Sequence, residues 1–444
     1  MIDGLKPYPK YKDSGASWLG EVPEHWEVAR NGRLFAERRE VGFPELPVLE
    51  VSLRTGVRVR NGEAGARKQA LGDLAAYKRA RAGDIAYNMM RMWQGAVGVA
   101  PVDGLVSPAY VVARPFAEAD SRYYEYLFRT PAYMGEVNNY SRGIVADRNR
   151  LYWDEFKDVR SPVPPPGEQA LIVRFLRALD QRITRYVRAK KKLISLLNEQ
   201  RHKMTNEAVE AAREWCRLAR VAVRVFRPIE RRDQDRYRPI GVFSRGRGLF
   251  HKRATKGSEL GDSDFFWLEE GDLVVSGQFA WEGAIALVSE VDKDCVASHR
   301  YHVLRGNPDT LDIAYLSSFL QTTYGQMLLD VHSRGAAGRN RPLNIISLMR
   351  EKIPVPPSDA QKRIAALVRR EGYLQLRFER TIERVHGFRM TLLSDVVMGK
   401  LDVREAARRL PINEPADEFP EIGDTEEETG DESDAELEAV EVED

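Results

Sequence analysis

The sequence predicts an α+β protein in which two pseudo-repeated globular domains are separated by two long helices forming an antiparallel coiled coil, with a disordered acidic C-terminal tail. Three observations carry this. The stretch GDIAYNMMRMWQGAVGVA (Gly83 to Ala100) returns as GDLVVSGQFAWEGAIALV (Gly271 to Val288), with Trp93, Gln94, Gly95 and Ala96 answered by Trp281, Glu282, Gly283 and Ala284. Two long runs with apolar residues on 3- and 4-residue steps each follow a proline-rich punctuation, VPPPGEQ (Val163 to Gln169) and VPPSDAQ (Val355 to Gln361). From Glu414 to Asp444 there are 16 acidic residues and no Lys or Arg. Any function must make sense when performed twice by similar but unequal modules.

At 444 residues the chain has room for two or three domains, and 43% apolar with 30% charged residues is ordinary for a soluble protein. No apolar run approaches the roughly 18 residues that a membrane span needs. The start, MIDGLKPYPKYKDSG, is polar and Tyr-rich rather than signal-like. Cys216 and Cys295 are the only cysteines, so a disulfide framework is not expected and a reducing cytoplasm is the natural setting. The net charge of +1 conceals a polarised chain: residues 1–413 carry all 68 Lys and Arg against 51 Asp and Glu, a balance of +17. Such an excess is the electrostatic footprint of a nucleic-acid binder, or of a surface for an acidic protein partner. The tail has too few large apolar residues to fold.

In chain order, residues 1–30 form a turn-rich lead-in whose Tyr8, Trp18 and Trp26 are expected to pin it to a core, and Pro23 breaks any long helix there. Short strands follow from about Pro47, with VLEVSL, the Gly83 stretch and GLVSPAYVVARP separated by Gly, Pro or Asp every 8 to 12 residues. A helix is expected over Arg122 to Tyr133, then the loop SRGIVADRNR (Ser141 to Arg150). The second half repeats the plan: Ser298 and Tyr301 answer Ser107 and Tyr110, and SRGAAGRNR (Ser333 to Arg341) answers the Ser141 loop. In a single copy those loops would read as helix caps and surface charge. Their recurrence in equivalent places favours a ligand-facing role, because Arg on a glycine-rich loop suits phosphates and the two acceptors of a guanine edge.

Along the first long run Ile172, Leu176, Leu179, Ile183, Tyr186, Leu193, Leu197, Met204 and Ala208 form a seam that Lys190 and Arg201 interrupt. In the second, Ile364, Leu367, Leu374, Phe378, Ile382, Val385, Leu392 and Val396 do the same. Two coiled-coil patterns on one chain most simply pair with each other. A helix of about 40 residues would be about 60 Å long, enough to space two modules. The boundaries expected are residues 1–165 for the first module, 166–212 for the central helix, 213–356 for the second module, 357–404 for the second helix and 405–444 for the tail.

The opening YPKYKDSG with WLGEVPEHW, the two β-rich modules, and the duplicated Pro-Pro punctuation with its Gln (Gln169, Gln361) leading into a long helix ending in NEAV or SDVVMGKLDVR resemble the DNA-specificity (S) subunit of type I restriction-modification enzymes. The resemblance covers roughly residues 1–404. It implies that each module is a target-recognition domain reading one half of a bipartite, asymmetric site in double-stranded DNA, with the coiled coil fixing the gap. It also implies two methyltransferase (M) subunits docked on the scaffold, restriction/translocase (R) subunits joined through them, and no catalysis by the chain itself. No cofactor is then expected on this chain: S-adenosylmethionine belongs to the M subunits, and ATP and Mg to the R subunits. A stand-alone sequence-specific DNA-binding or architectural protein is the alternative.

Candidate DNA-binding residues in the first module are Arg54, Thr55, Arg58, Arg67, Lys68, Asn88, Arg91, Gln94, Arg142, Arg148 and Arg150. In the second they are Arg245, Arg247, His251, Lys252, Gln278, Glu282, Arg334, Arg339 and Arg341. The repeated Trp93 and Trp281 read as core anchors rather than base-stacking residues. Catalytic readings are weak. Ser107-Pro108-Ala109-Tyr110 lacks the second Pro of a base-flipping Asx-Pro-Pro-aromatic loop. Gly246-Arg247-Gly248 is a fragment of a nucleotide-binding turn. Glu155 and Lys157 have no clear equivalent in the second copy, and Cys295, His299 and His302 lack a fourth ligand.

Overall fold

The computed structural model describes residues 5–53, 55–60, 74–142, 149–335 and 341–411. The chain divides into two compact units, one made of residues 1–187 with 382–444 and the other of residues 188–381. Each long helix therefore contributes one end to each unit.

In the first unit the repeated stretch supplies the centre of a sheet. Its strands are β1 (Phe35–Glu37), β4 (Ile85–Asn88), β5 (Val97–Val99) and β6 (Tyr110–Pro115), and a separate hairpin pairs β2 (Leu49–Ser52) with β3 (Gly56–Val59). The sheet order is β1-β6-β4-β5. Side chains alternate across a strand, so Ile85 and Tyr87 enter the larger core while Ala86 enters a smaller one with Leu49 and Val57 of the hairpin. Burial on both faces explains why β4 reads as an unbroken apolar run. Two helices follow, α1 (Ser121–Phe128) and α2 (Pro131–Tyr140). The single helix expected over Arg122 to Tyr133 is thus broken at Arg129–Thr130. Pro131 has no N–H to continue the ladder, and Thr130 Oγ1 caps the new helix by accepting from Tyr133 N.

The long helix α3 (Pro166–Glu210) begins within the Pro-rich punctuation, where a proline costs nothing because first-turn N–H groups have no intrahelical partner. The lead-in is anchored here. Tyr8 Oη, Trp26 Nε1 and the His25 ring all bond the buried Glu168 carboxylate, at 2.6, 3.0 and 2.8 Å. Trp26 and Tyr8 are fully buried and Trp18 packs on the same core, as their residue types suggest.

The second unit repeats the frame. Its strands β7 (Ala222–Arg224), β10 (Leu273–Ser276), β11 (Ile285–Leu287) and β12 (Tyr301–Gly306) take the order β7-β12-β10-β11, and β8 (Arg236–Val242) and β9 (Leu249–His251) make the hairpin. Leu273 and Val275 face the larger core and Val274 the smaller. Tyr110 opposes Asn88 in one sheet and Tyr301 opposes Ser276 in the other, which aligns the copies as the sequence does. The departure is β8, which also pairs in parallel with Cys295–Ser298, so the hairpin belongs to a five-stranded sheet. Helices α4 (Ile313–Leu320) and α5 (Thr323–Val331) correspond to α1 and α2, with Thr322 Oγ1 accepting from Gly325 N at the same break.

The second long helix is α6 (Ser358–Val397), and α7 (Arg404–Arg408) buries Ala407 in the first unit's core. In that unit Ile172, Phe175 and Leu176 of α3 share a core with Leu392, Leu393 and Val396 of α6. In the other, Met204 and Ala208 of α3 lie with Ile364 and Val368 of α6. Two residues assigned to the seam are not in it: Tyr186 and Leu193 are 41% and 43% exposed. Burial along α3 is densest where the helix also lies against a module, so seam periodicity alone overstates contact near the middle. Arg201, which interrupts the apolar pattern of the seam, is buried and pairs with Glu371.

Candidate nucleic-acid interface

The Gly83 and Gly271 stretches form the same device. Gly83 (φ 91°) and Gly271 (φ 82°) turn the chain with a left-handed backbone, and the next residue, Asp84 or Asp272, folds its carboxylate back to accept from Arg81 N or Glu269 N at 2.8 and 2.9 Å. A guanidinium closes each: Arg38 Nε on Asp84 at 2.6 Å and Arg227 Nη1 on Asp272 at 2.7 Å. Buried charges need such pairing. Beyond the strand, a 3-10 turn carrying Trp93 or Trp281 ends on Gly95 or Gly283 in the left-handed region. Trp93 packs on the core and donates to Met90 O. Trp281 is half-buried beneath the Arg341 guanidinium, 4.7 Å from its ring centroid. The repeated stretch is therefore a frame, with the carboxylate and its arginine as the part that sequence reasoning missed.

The loops that carry the candidate residues return to this frame at matching atoms. Leu151 N donates to Met89 O, and Leu343 N donates to Gly277 O, each at the close of an Arg-rich loop. Arg142 and Arg150 bridge the base of the first loop, and Ser333 and Leu343 bridge that of the second. Arg142 projects into solvent, 78% exposed, while its Nε is held 2.9 Å from the mostly buried Glu155. Arg341 is steadied by Asp330 at 2.8 Å as well as by Trp281. Arg91, Gln94 and Arg150 are exposed beside the first turn, and Arg334 is exposed beside the second, where Gln278 is half-buried at the end of β10. Asn88 is occupied locally, accepting from Met90 N.

The hairpins bring a second group of candidates to the frame. Arg58 pairs with Glu50 across the first hairpin, and Thr55 sits half-buried in its turn. In the second, Arg245 and Gly246 take positive φ and their N–H groups donate to Glu282 O and Gly283 O, both at 2.8 Å. Glu282 also accepts from Ser244 Oγ, so its carboxylate braces the hairpin. Arg247 is exposed and lies over the Phe243 ring, and Lys252 is exposed just past the end of β9. His251 is turned to Asp292, 2.9 Å away. Arg54, Arg67, Lys68, Arg148 and Arg339 lie outside the described residues.

The catalytic alternatives are dispersed. Glu155 serves Arg142 while Lys157 bonds Asp154, so the two do not act on one point. Among the described residues no group of His, Cys, Asp and Glu could hold a metal, and no helix is long and apolar enough to cross a membrane.

Residues 234–383 match the family model of the type I restriction modification DNA specificity domain. No curated protein matches the sequence. Among solved structures, one described as the structural basis of complex assembly and conformational transition of the type I R-M system is 16% identical, covers 85% of this chain and 98% of its own, and has a TM-score of 0.51. The HsdS subunit from Thermoanaerobacter tengcongensis is 16% identical over 85% of this chain and 98% of its own, with a TM-score of 0.44. The type I restriction-modification S subunit from M. genitalium is 12% identical over 84% and 96%, with a TM-score of 0.47. Residues 234–383 thus resemble a type I restriction-modification DNA specificity domain, in a chain whose pseudo-repeated fold is similar to that seen in a type I R-M system and whose first module is built on the same frame.

Proposed function

We propose that the chain is the DNA sequence-specificity subunit of a type I restriction-modification complex, in which each module reads one half of a bipartite, asymmetric site. The observation that carries this is the doubling of the interface: in each module the base of an Arg-rich loop bonds the residue after the central strand, and an Arg-bearing hairpin packs on the same repeated stretch, at Gly98 in the first module and at Glu282 and Gly283 in the second. Phosphate contacts give affinity, while base-edge contacts from groups held in place give specificity. Arg142, oriented by Glu155, and Arg341, oriented by Asp330 and Trp281, are held in this way.

In this reading the chain is a cytoplasmic, non-catalytic scaffold. Two methyltransferase subunits dock on it and bring S-adenosylmethionine, restriction subunits join through them with ATP and Mg, and the paired helices set the gap between half-sites. The test is to map methylated bases in a host genome with and without this chain, and to ask what co-purifies. A split motif that disappears with the chain, and a stable methyltransferase partner, support the proposal. Tight specific binding with no such partner favours a stand-alone DNA-binding protein, and methylation or cleavage by the isolated chain would overturn the non-catalytic reading.

A further inference from the structure

The ends of the helix pair are tied to the hairpins by two networks that draw on equivalent positions of α1 and α4. In the first unit Arg389 of α6 grips Asp180 of α3 through Nε at 2.6 Å and Nη2 at 3.0 Å, and Asp180 also accepts from Tyr126 Oη at 3.1 Å. Three residues beyond Tyr126, Arg129 closes α1. Its Nη2 donates to Leu53 O in the turn of the first hairpin. The turn closes on Gly56 (φ 75°), where an added Cβ would meet Glu125 Oε1 at 2.9 Å and Arg129 Nη1 at 3.5 Å.

In the second unit the roles of the two helices are exchanged. Arg201 of α3 grips Glu371 of α6 through Nε at 2.9 Å, and its other nitrogens reach Ser318 Oγ and Gln321 Oε1, both at 3.0 Å. Gln321 closes α4, and its amide lies against Gly246 (φ 66°) at the tip of the second hairpin, where an added Cβ would sit 2.7 Å from it. Tyr126 and Ser318 are 192 positions apart, and so are Arg129 and Gln321, and Gln169 and Gln361. Those last two glutamines donate to the Pro164 and Pro356 carbonyls and accept from Asp120 N and Asp312 N, which confirms the equivalence at atomic level.

We infer that Arg129 and Gln321 are positioning residues, each fixing the hairpin tip of its own module to the helix pair and thereby setting the base preference of one half-site. The role in base preference rests on the function proposed above; the mechanical part does not. A hairpin tip presents its side chains to a groove only as accurately as its own backbone is held. Gln321 contacts both Arg201 and the tip glycine, and Arg129 holds the first tip from the end of α1, whose Tyr126 bonds Asp180, so each supplies that restraint without touching DNA.

The experiment uses the full-length chain. Hydrogen exchange is measured on wild type, Arg129→Ala, Arg129→Lys, Gln321→Ala and Gln321→Glu, and the same proteins, with their methyltransferase partner, select sites from a random duplex library. Arg129→Ala should raise exchange in residues 49–59 by roughly tenfold and leave residues 236–251 unchanged, and Gln321→Ala should do the reverse. Gln321→Glu, which keeps an acceptor for Arg201, should restore the wild-type pattern, and Arg129→Lys covers the event that the alanine variant fails to fold. Each variant should relax the motif in one half-site only. Unchanged exchange at both tips, or a motif altered in both halves or in neither, would overturn the inference. A wild-type complex that selects no motif would instead sink the proposed function, and exchange alone would then decide the positioning role.

Discussion

Gly246 is constrained twice, by a φ of 66° and by the Gln321 amide beside it, whereas Gly248, two residues on, has a φ of 99° but nothing within 4 Å of an added Cβ. Alanine at either position suffers the left-handed backbone, for about 1 kcal/mol, but only Gly246→Ala also collides. Urea unfolding should therefore show Gly246→Ala destabilised by about 2 kcal/mol and Gly248→Ala by about half of that; equal losses would mean that the crowding is relieved at no cost. His302 gives a second residue-scale outcome. Burial, with Arg224 near by, pushes its imidazole down to about 4, so the folded state favours the neutral ring. Its stabilising effect is complete above the unfolded value of about 6.5 and is lost as pH falls from there through 4. The second unit should lose about 1–2 kcal/mol over that interval, and His302→Gln should flatten the slope in a pH series of denaturation curves.

At the scale of elements, the two ion pairs across α3 and α6 are reciprocal: each helix carries its acid near the start and its arginine near the end, and the acid of one meets the arginine of the other. Removing one partner of a buried pair leaves a charge in low dielectric, at a cost of about 3–5 kcal/mol, whereas removing both is often nearly neutral. Arg201→Met should thus be far more disruptive than Arg201→Met combined with Glu371→Met, as read by thermal unfolding, and additive losses would show the pair to be independent groups. The same helices should act as a ruler. An insertion of one turn, about four residues, near residue 190 should change the gap of the recognised site without changing either half, and an unaltered gap in the methylation map would rule that role out.

For the whole molecule, duplication is the governing fact. The frames agree strand for strand, yet the second hairpin joins a five-stranded sheet through a parallel pairing while the first stands as two strands. Unequal modules on one frame suit an asymmetric site, since each can diverge at its tips without disturbing the shared turn. Under the proposed function, exchanging residues 1–165 for the corresponding part of a type I specificity subunit should alter one half of the methylated motif only. Change in both halves would show that the modules do not read independently.

The amino-acid sequence alone determined the duplication, the fold class, the long helices and the aromatic anchoring of the lead-in, because each is written in local pattern: Gly-Asp and Trp-x-Gly-Ala spacing, 3- and 4-residue apolar steps, and proline before each helix. It also marked the Arg-rich loops, whose bases the structure brings beside the repeated turn. What it left hidden were long-range polar partners. Nothing near Asp84 names Arg38, nothing near Arg201 names Glu371, and Arg129 and Gln321 look like ordinary helix ends until the fold sets Leu53 and Gly246 against them. Periodicity reports which face of an element is buried, but a buried charge chooses its partner from residues that only tertiary packing brings within reach. That is why Arg201 read as a flaw in the seam and proved to be its fastening.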